Sequence, residues 1–236
     1  MNIQGFQKLT LLDYPGRTAC TVFTGGCNLR CPFCHNADLV RTPIAGPNLT
    51  DEVLTYLARR QGILDGVCIT GGEPTLQPDL PQLLEKIKAL GYRTKLDTNG
   101  SNPHMLASLL EKGLVDYVAM DVKNCPSRYG ETVGISAMPL DKLEQSLKLL
   151  LEDRVDYELR TTCVEEFHGE AEMEAMGSWL ETLVPGAKPK RFFLQCFVAR
   201  DSVLQPGLNA PSREKMEKMR KALEPHAHSV SLRGVD

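Results

Sequence analysis

The chain has 236 residues, 42% of them hydrophobic and 24% charged, with a net charge of -3. This composition suits a soluble α/β protein and offers no basic surface for nucleic acid or an anionic membrane. No apolar run reaches the roughly 20 residues of a membrane helix, and the opening Met1–Lys8 stretch lacks the charged-then-apolar layout of a signal peptide, so a cytoplasmic protein with no membrane partner is expected. Eight cysteines in that compartment point to metal binding or catalysis before disulfides.

In chain order, short β-branched or aromatic runs predict strands at Thr18–Thr24, Gly66–Thr70, Tyr92–Thr98, Val115–Val122, Asp156–Cys163 and Arg191–Val198, with a last short one at Ser229–Leu232. Helical spacing lies between them, at Thr50–Gln61, Leu80–Leu90, Pro103–Glu111, Leu140–Glu152, Glu170–Leu183 and Arg213–Leu223. Thr50, followed by Asp51 and Glu52, reads as a helix N-cap, and Gly91 and Gly113 read as helix stops. Strands alternating with helices imply a parallel sheet with right-handed crossovers. Six units are too few for an eight-stranded barrel, so the expected fold is a partial (β/α)6 TIM-like barrel of the α/β class. It forms one domain over 1–236, with a core at about 16–200 and a C-terminal helix and strand at about 211–233. Thr42–Asn48 reads as a loop rather than a linker.

The chemistry concentrates at the strand ends. Cys27, Cys31 and Cys34 follow the first predicted strand with C-x3-C-x2-C spacing. Three thiolates on one loop can hold three irons of a four-iron cubane, which leaves the fourth iron open to a ligand. Three other readings stand beside this one. A structural zinc site would use His35 or a further cysteine, but no second ligand pair at finger spacing is present. Covalent haem matches Cys31-Pro32-Phe33-Cys34-His35, yet it leaves Cys27 unexplained. The third is a set of unligated buried cysteines. Gly71-Gly72-Glu73-Pro74 follows the second strand, where two glycines let the backbone turn and approach a ligand, or simply make a turn. Cys125, Cys163 and Cys196 lie near the exits of later strands and raise the question of a second metal site. The other four histidines, His104, His168, His226 and His228, read as surface or packing residues.

Together these motifs resemble the radical S-adenosylmethionine (SAM) superfamily. Asp13-Tyr14-Pro15-Gly16, Cys34-His35-Asn36, Leu96-Asp97-Thr98-Asn99-Gly100 and Asp121-Val122-Lys123 look like its glycyl-radical-enzyme activases. The opening Gly5–Gly16 is most similar to activators of anaerobic ribonucleoside-triphosphate reductase. The resemblance implies one [4Fe-4S] cluster on Cys27, Cys31 and Cys34, and SAM bound through its amino group at Gly71, Gly72 and Glu73 with Phe33 beside its adenine. Lys123 and Arg160 resemble contacts to the SAM carboxylate and ribose, and Asn99 belongs to the same cofactor-binding set. Asp97, Thr98 and Asp121 resemble a monovalent-cation site, and Asp13 resembles a catalytic-site residue facing the partner's glycine loop. Relatives of the pyruvate formate-lyase type carry a histidine after the sixth strand, whereas this chain has Gln195-Cys196-Phe197-Val198 there.

The implied activity is reductive cleavage of SAM to a 5′-deoxyadenosyl radical, which removes hydrogen from a glycine Cα of a partner enzyme. Glycine suits this because its backbone can enter a narrow site. Anaerobic ribonucleotide reductase is the expected partner, and flavodoxin or ferredoxin the expected electron donor. The competing readings are a radical SAM enzyme acting on a small molecule, such as a 7-deazaguanine-forming synthase, and a non-catalytic metal-binding module with zinc in the cysteine loop.

Overall fold

The structure, a computed structural model, describes residues 1–41, 48–136, 138–200 and 202–235. Its centre is one sheet whose spatial order equals its chain order. The strands are β1 (Ile3–Thr10), β2 (Ala19–Thr24), β3 (Gly66–Gly71), β4 (Arg93–Thr98), β5 (Tyr117–Asp121), β6 (Asp156–Cys163), β7 (Phe192–Cys196) and β8 (Val230–Arg233). From β2 to β8 every pairing is parallel, while β1 runs antiparallel to β2. β1 and β8 are the two edges, so the sheet curls without closing: an α/β partial barrel.

The helices are α1 (Ala37–Arg41), α2 (Thr50–Ala58), α3 (Leu80–Ala89), α4 (Pro103–Glu111), α5 (Pro126–Val133), α6 (Asp141–Leu151), α7 (Glu170–Leu183) and α8 (Arg213–Leu223). The seven predicted strands and six predicted helices all form. Among the described residues one further strand and two further α-helices form. β1 is an edge strand rich in polar residues, and α1 is a five-residue helix behind the cysteine loop. α5 carries Pro126 and Gly130, which blunt the helical signal. The glycine stops hold: Gly91 and Gly113 take φ of 87° and 61° just past α3 and α4. Thr50 is not the cap of α2. It is the first helical residue, and Asn48 Oδ1 accepts from both its amide (3.1 Å) and its hydroxyl (2.7 Å). The rest of the loop expected at Thr42–Asn48 lies outside the described residues.

Successive strand residues face opposite sides, and the two sides differ in kind. Val22, Ile69, Leu96, Val118, Leu159 and Leu194 face outward, at 0% exposure, against helix residues such as Leu57, Leu84, Leu147, Met176 and Met219. Each such side chain contributes about 1.5–3 kcal/mol by leaving water. The inner side holds Cys68, Lys95, Asp97, Asp121, Glu158, Arg160 and Arg233, with a small apolar cluster of Tyr14, Ala19, Tyr117 and Ala119. Charged side chains thus line the lumen, where a fully closed parallel barrel packs branched aliphatic residues.

Candidate active site

At the C-terminal ends of the parallel strands lies a cavity of about 210 Å³. Every residue expected at the site lines it except Asp13. The sequence therefore placed on one barrel face residues that span Cys27 to Arg160. Thr70, Thr162, Leu29, His35, Asn36 and Val40 join them.

The cysteine loop runs from β2 to α1. Leu29 N lies 3.4 Å from Cys27 Sγ, and Asn99 Nδ2 lies 3.8 Å from the same sulfur. Asn99 also donates to Asn28 Oδ1 at 3.0 Å, which ties the loop to the end of β4. Burial pushes the Cys31 thiol up to about 12 and raises those of Cys27 and Cys34, while the Lys123 ammonium pulls all three the other way. Phe33 is buried against Phe167 and His168, with ring centroids 6.0 and 6.4 Å apart. His35 Nε2 lies 2.8 Å from Val198 O, and its ring stacks on Phe197 at 5.4 Å, so the loop reaches the exit of β7.

Gly71 and Gly72 serve the protein's own packing. Gly71 has φ +115°, and a Cβ there would lie 2.3 Å from Thr24 N. A Cβ on Gly72 would lie 2.0 Å from Gly26 O. The glycines let the end of β3 press against the start of the cysteine loop. Glu73 is fully buried. Its Oε1 accepts from Thr75 N (3.0 Å), Thr75 Oγ1 (2.5 Å) and Thr98 Oγ1 (2.7 Å), and its Oε2 from Asn99 N (2.6 Å). Burial raises its carboxyl, and these donors work against that rise. Glu73 thus clamps the ends of β3 and β4 together.

Below the clamp runs a chain of charges. Arg160 bridges two carboxylates, Nε to Asp121 Oδ1 at 2.9 Å and NH1 to Asp97 Oδ2 at 3.1 Å. Lys123 Nζ bonds Asp121 Oδ2 at 2.8 Å, and Lys95 Nζ bonds Asp97 Oδ1. Burial opposes charge on both acids, but Arg160 with Lys123 or Lys95 holds each carboxyl below its usual range. Burial likewise opposes the Lys123 ammonium, and Asp121 more than offsets it. His168 accepts from Val164 N at 3.0 Å and reaches Lys123 O at 2.8 Å, so it positions the Lys123 backbone. Asp13 lies lower, accepting a 2.5 Å bond from Thr21 Oγ1 on β2.

These residues fit two of the three implied groups. A soft thiol trio on one half-buried loop, beside a lysine, suits iron–sulfur chemistry, and cationic iron supplies the stabilisation that burial denies the thiolates. An amino-acid carboxylate fits the cationic end of the cavity at Lys123 and Arg160. A monovalent cation does not fit. Both oxygens of Asp97 and both of Asp121 already meet protein cations, and Thr98 turns its hydroxyl to Glu73.

Cys163 and Cys196 are register partners on β6 and β7, but Cys125 does not join them as a third ligand. Cys125 Sγ pairs with Ser127 Oγ at 3.3 Å, Cys163 belongs to the outer core, and Cys196 Sγ lies 3.7 Å from Pro211 O. Among the described residues no three His, Cys, Asp or Glu side chains group as a single-ion metal site. Sequence reasoning missed Lys95, Glu158 and Arg233. Lys95 and Glu158 stand two residues before Asp97 and Arg160, so strand alternation already placed each pair on one face.

The sequence model of the Radical SAM superfamily matches residues 21–167. A candidate glycyl-radical enzyme activating enzyme of Methanocaldococcus jannaschii is 32% identical over 73% of this chain and 72% of its own length. A 7-carboxy-7-deazaguanine synthase of Neisseria meningitidis is 38% identical, but over 47% of this chain and 46% of its own. Among solved structures, a domain of pyruvate-formate lyase-activating enzyme from Bacteroides vulgatus superposes with TM-score 0.58 at 18% identity, over 72% of this chain and 99% of that one. Streptococcus suis SuiB bound to its precursor peptide superposes with TM-score 0.67 at 17% identity, over 91% of this chain and 48% of that one. The two structural matches show a shared fold, and the family model and the Methanocaldococcus relative show more: this chain belongs to the radical SAM superfamily, whose enzymes use a [4Fe-4S] cluster and SAM.

Proposed function

We propose that the protein is an activase that generates a glycyl radical on a partner enzyme, with anaerobic ribonucleoside-triphosphate reductase as the first candidate. The observation that carries this reading is the cavity itself. It brings together Cys27, Cys31 and Cys34, Lys123 and Arg160 at one end of a barrel whose edges β1 and β8 remain unpaired with each other. A barrel open at its side admits a peptide loop that a closed one excludes. The Methanocaldococcus relative and the activase-like runs at Asp97–Gly100 and Asp121–Lys123 support it.

Cys27, Cys31 and Cys34 would hold the cluster, and cluster and SAM together supply a carbon-centred radical by reductive cleavage. The protein's own work is placement. Lys123 and Arg160 present a cationic end to the SAM carboxylate, and Phe33 offers an apolar wall. Glu73 fixes the spacing of the β3 and β4 exits through Thr75, Thr98 and Asn99. Asp13, in the loop between β1 and β2, is the residue we assign to face the partner's glycine segment. Flavodoxin or ferredoxin would supply the electron.

Electron paramagnetic resonance of the anaerobically reconstituted, dithionite-reduced protein, with and without SAM, tests the cofactor step. A reduced four-iron signal that changes with SAM is expected, and one indifferent to SAM would overturn the reading. Incubation with anaerobic ribonucleotide reductase should then give a glycyl radical signal on that protein. The deazaguanine synthase relatives favour a second reading, action on a small purine-like molecule. It would be preferred if SAM turnover depended on such a molecule and no glycyl radical formed.

A further inference from the structure

Lys95 is 2% exposed, and no part of the reading above uses it. It projects from β4 into the lumen, two residues before Asp97, and its ammonium bonds Asp97 Oδ1. It lies 3.8 Å from Cys68 Sγ and 6.0 Å from the centre of the Tyr117 ring. Burial opposes its charge, but Asp97 and Cys68 keep the ammonium protonated above its ordinary range.

Lys95 belongs to a chain of paired charges. Asp97 and Asp121 are bonded by Lys95, Arg160 and Lys123, and Asp13, held by Thr21 opposite Cys68, adds a further carboxylate to the same part of the lumen. Glu158, a further acid in the lumen, is matched by the two terminal guanidinium nitrogens of Arg233 at 2.9 Å. An added alkali cation would have to share oxygens of Asp97 and Asp121 that each already meet a lysine or arginine nitrogen. A lysine Nζ and an alkali ion are alike here: a compact charge of +1 set against a carboxylate oxygen, Asp97 Oδ1.

Building on the proposed activase site, we propose that the Lys95 ammonium takes the place of a monovalent metal ion beside Asp97, so that this protein holds SAM without K⁺ or Na⁺. Lys95 is then a positioning residue. It neutralises Asp97, and Asp97 in turn holds the Arg160 guanidinium toward the cavity.

The test uses the reconstituted holoprotein under anaerobic conditions. SAM affinity is measured in KCl, NaCl and tetramethylammonium chloride at equal ionic strength, and ²³Na relaxation is measured without SAM. For the unsubstituted protein, SAM Kd should agree within about twofold in the three salts, with no saturable sodium broadening. In Lys95→Ala, which removes the charge and opens a space, SAM binding should weaken about tenfold in tetramethylammonium and recover in KCl or NaCl. A purely structural lysine would not produce that recovery. Lys95→Met fills the space, and its weakened binding should not respond to salt; it serves alone if the alanine variant fails to fold. Saturable sodium binding to the unsubstituted protein, or SAM affinity that falls fivefold or more in tetramethylammonium, would overturn the proposal. A folded Lys95→Ala indifferent to cations would also overturn it, as would recovery of Lys95→Met by K⁺. If SAM binds in none of the salts, the activase reading fails, and the sodium measurement still decides whether Lys95 fills a cation site.

Discussion

Leu159 and Arg160 are neighbours on β6 and belong to different regions of the molecule. Leu159 faces outward at 0% exposure among the residues that join sheet to helices, whereas Arg160 faces the lumen and bridges Asp97 and Asp121. The outer region is held by burial, which is non-directional and tolerant of exchange among residues of similar size. The lumen is held by matched charges, each of which is costly to bury once its partner is removed. The same strands therefore carry a fold on one side and a site on the other. A substitution should reveal its side by which property it damages.

The largest effect is expected at the top of the lumen. Cys31→Ser should reduce SAM cleavage to background and lower bound iron, while leaving far-UV circular dichroism unchanged. Full cleavage in that variant would remove the cysteine loop from the site. Next comes the pair on β6. Arg160→Met leaves Asp97 Oδ2 and Asp121 Oδ1 without this cation in a buried setting, at a cost of about 3–5 kcal/mol in urea unfolding and with loss of SAM binding. Leu159→Ala should cost about 2–5 kcal/mol through the cavity it leaves, yet keep SAM affinity. If Leu159→Ala weakened SAM binding as much as Arg160→Met, the division into two regions would fail.

Lys123→Ala separates site from scaffold within the lumen. Losing a charged hydrogen-bond donor should weaken SAM binding about tenfold. Iron content should hold, because Lys123 is not a thiol ligand. Equal loss of iron and SAM would mean that Lys123 supports the cysteine loop instead.

Much of this arrangement was legible in the sequence because its signals are local. Cys27, Cys31 and Cys34 lie within eight residues, and Gly71-Gly72-Glu73 is contiguous. Strand–helix alternation placed both runs at the same end of a parallel sheet. What the residues do on arrival was less legible. Gly71 and Gly72 make room for Thr24 and Gly26, because the close approach is between two protein loops. Strand β1 escaped notice because Gln4, Gly5, Gln7 and Lys8 interrupt its apolar pattern, and its pairing partner β2 supplies the order. Thr50 carried a capping signal, but Asn48 took the capping contacts two residues earlier. Arg233 lay beyond sequence reasoning altogether, since only the placement of β8 beside β7 brings it to Glu158 on β6.

Arg233 provides the smallest effect and the finest test of the lumen's charge matching. Its guanidinium holds both oxygens of Glu158 at 2.9 Å and lies 3.4 Å from the centre of the Phe193 ring, while Tyr117 donates to Glu158 Oε2 at 2.9 Å. Burial opposes charge on Glu158, and Arg233 nonetheless holds its carboxyl below the usual range. A depressed carboxylate stabilises the fold above its unfolded pKa, about 4.5, and that contribution disappears as pH falls through the folded value. Arg233→Gln should therefore lower stability by about 1 kcal/mol at pH 7, the small end for a buried carboxylate because water reaches a side chain that is 36% exposed. The gap should narrow steadily below about pH 4.5, where Glu158 gains a proton in the unfolded chain first. Urea midpoints from pH 7 to pH 3.5, compared with and without Arg233→Gln on a Cys31→Ser background, keep acid loss of the cluster out of the comparison. A gap of constant size across that range would assign Arg233 to packing on Phe193 and leave Glu158 matched by Tyr117 and Arg160.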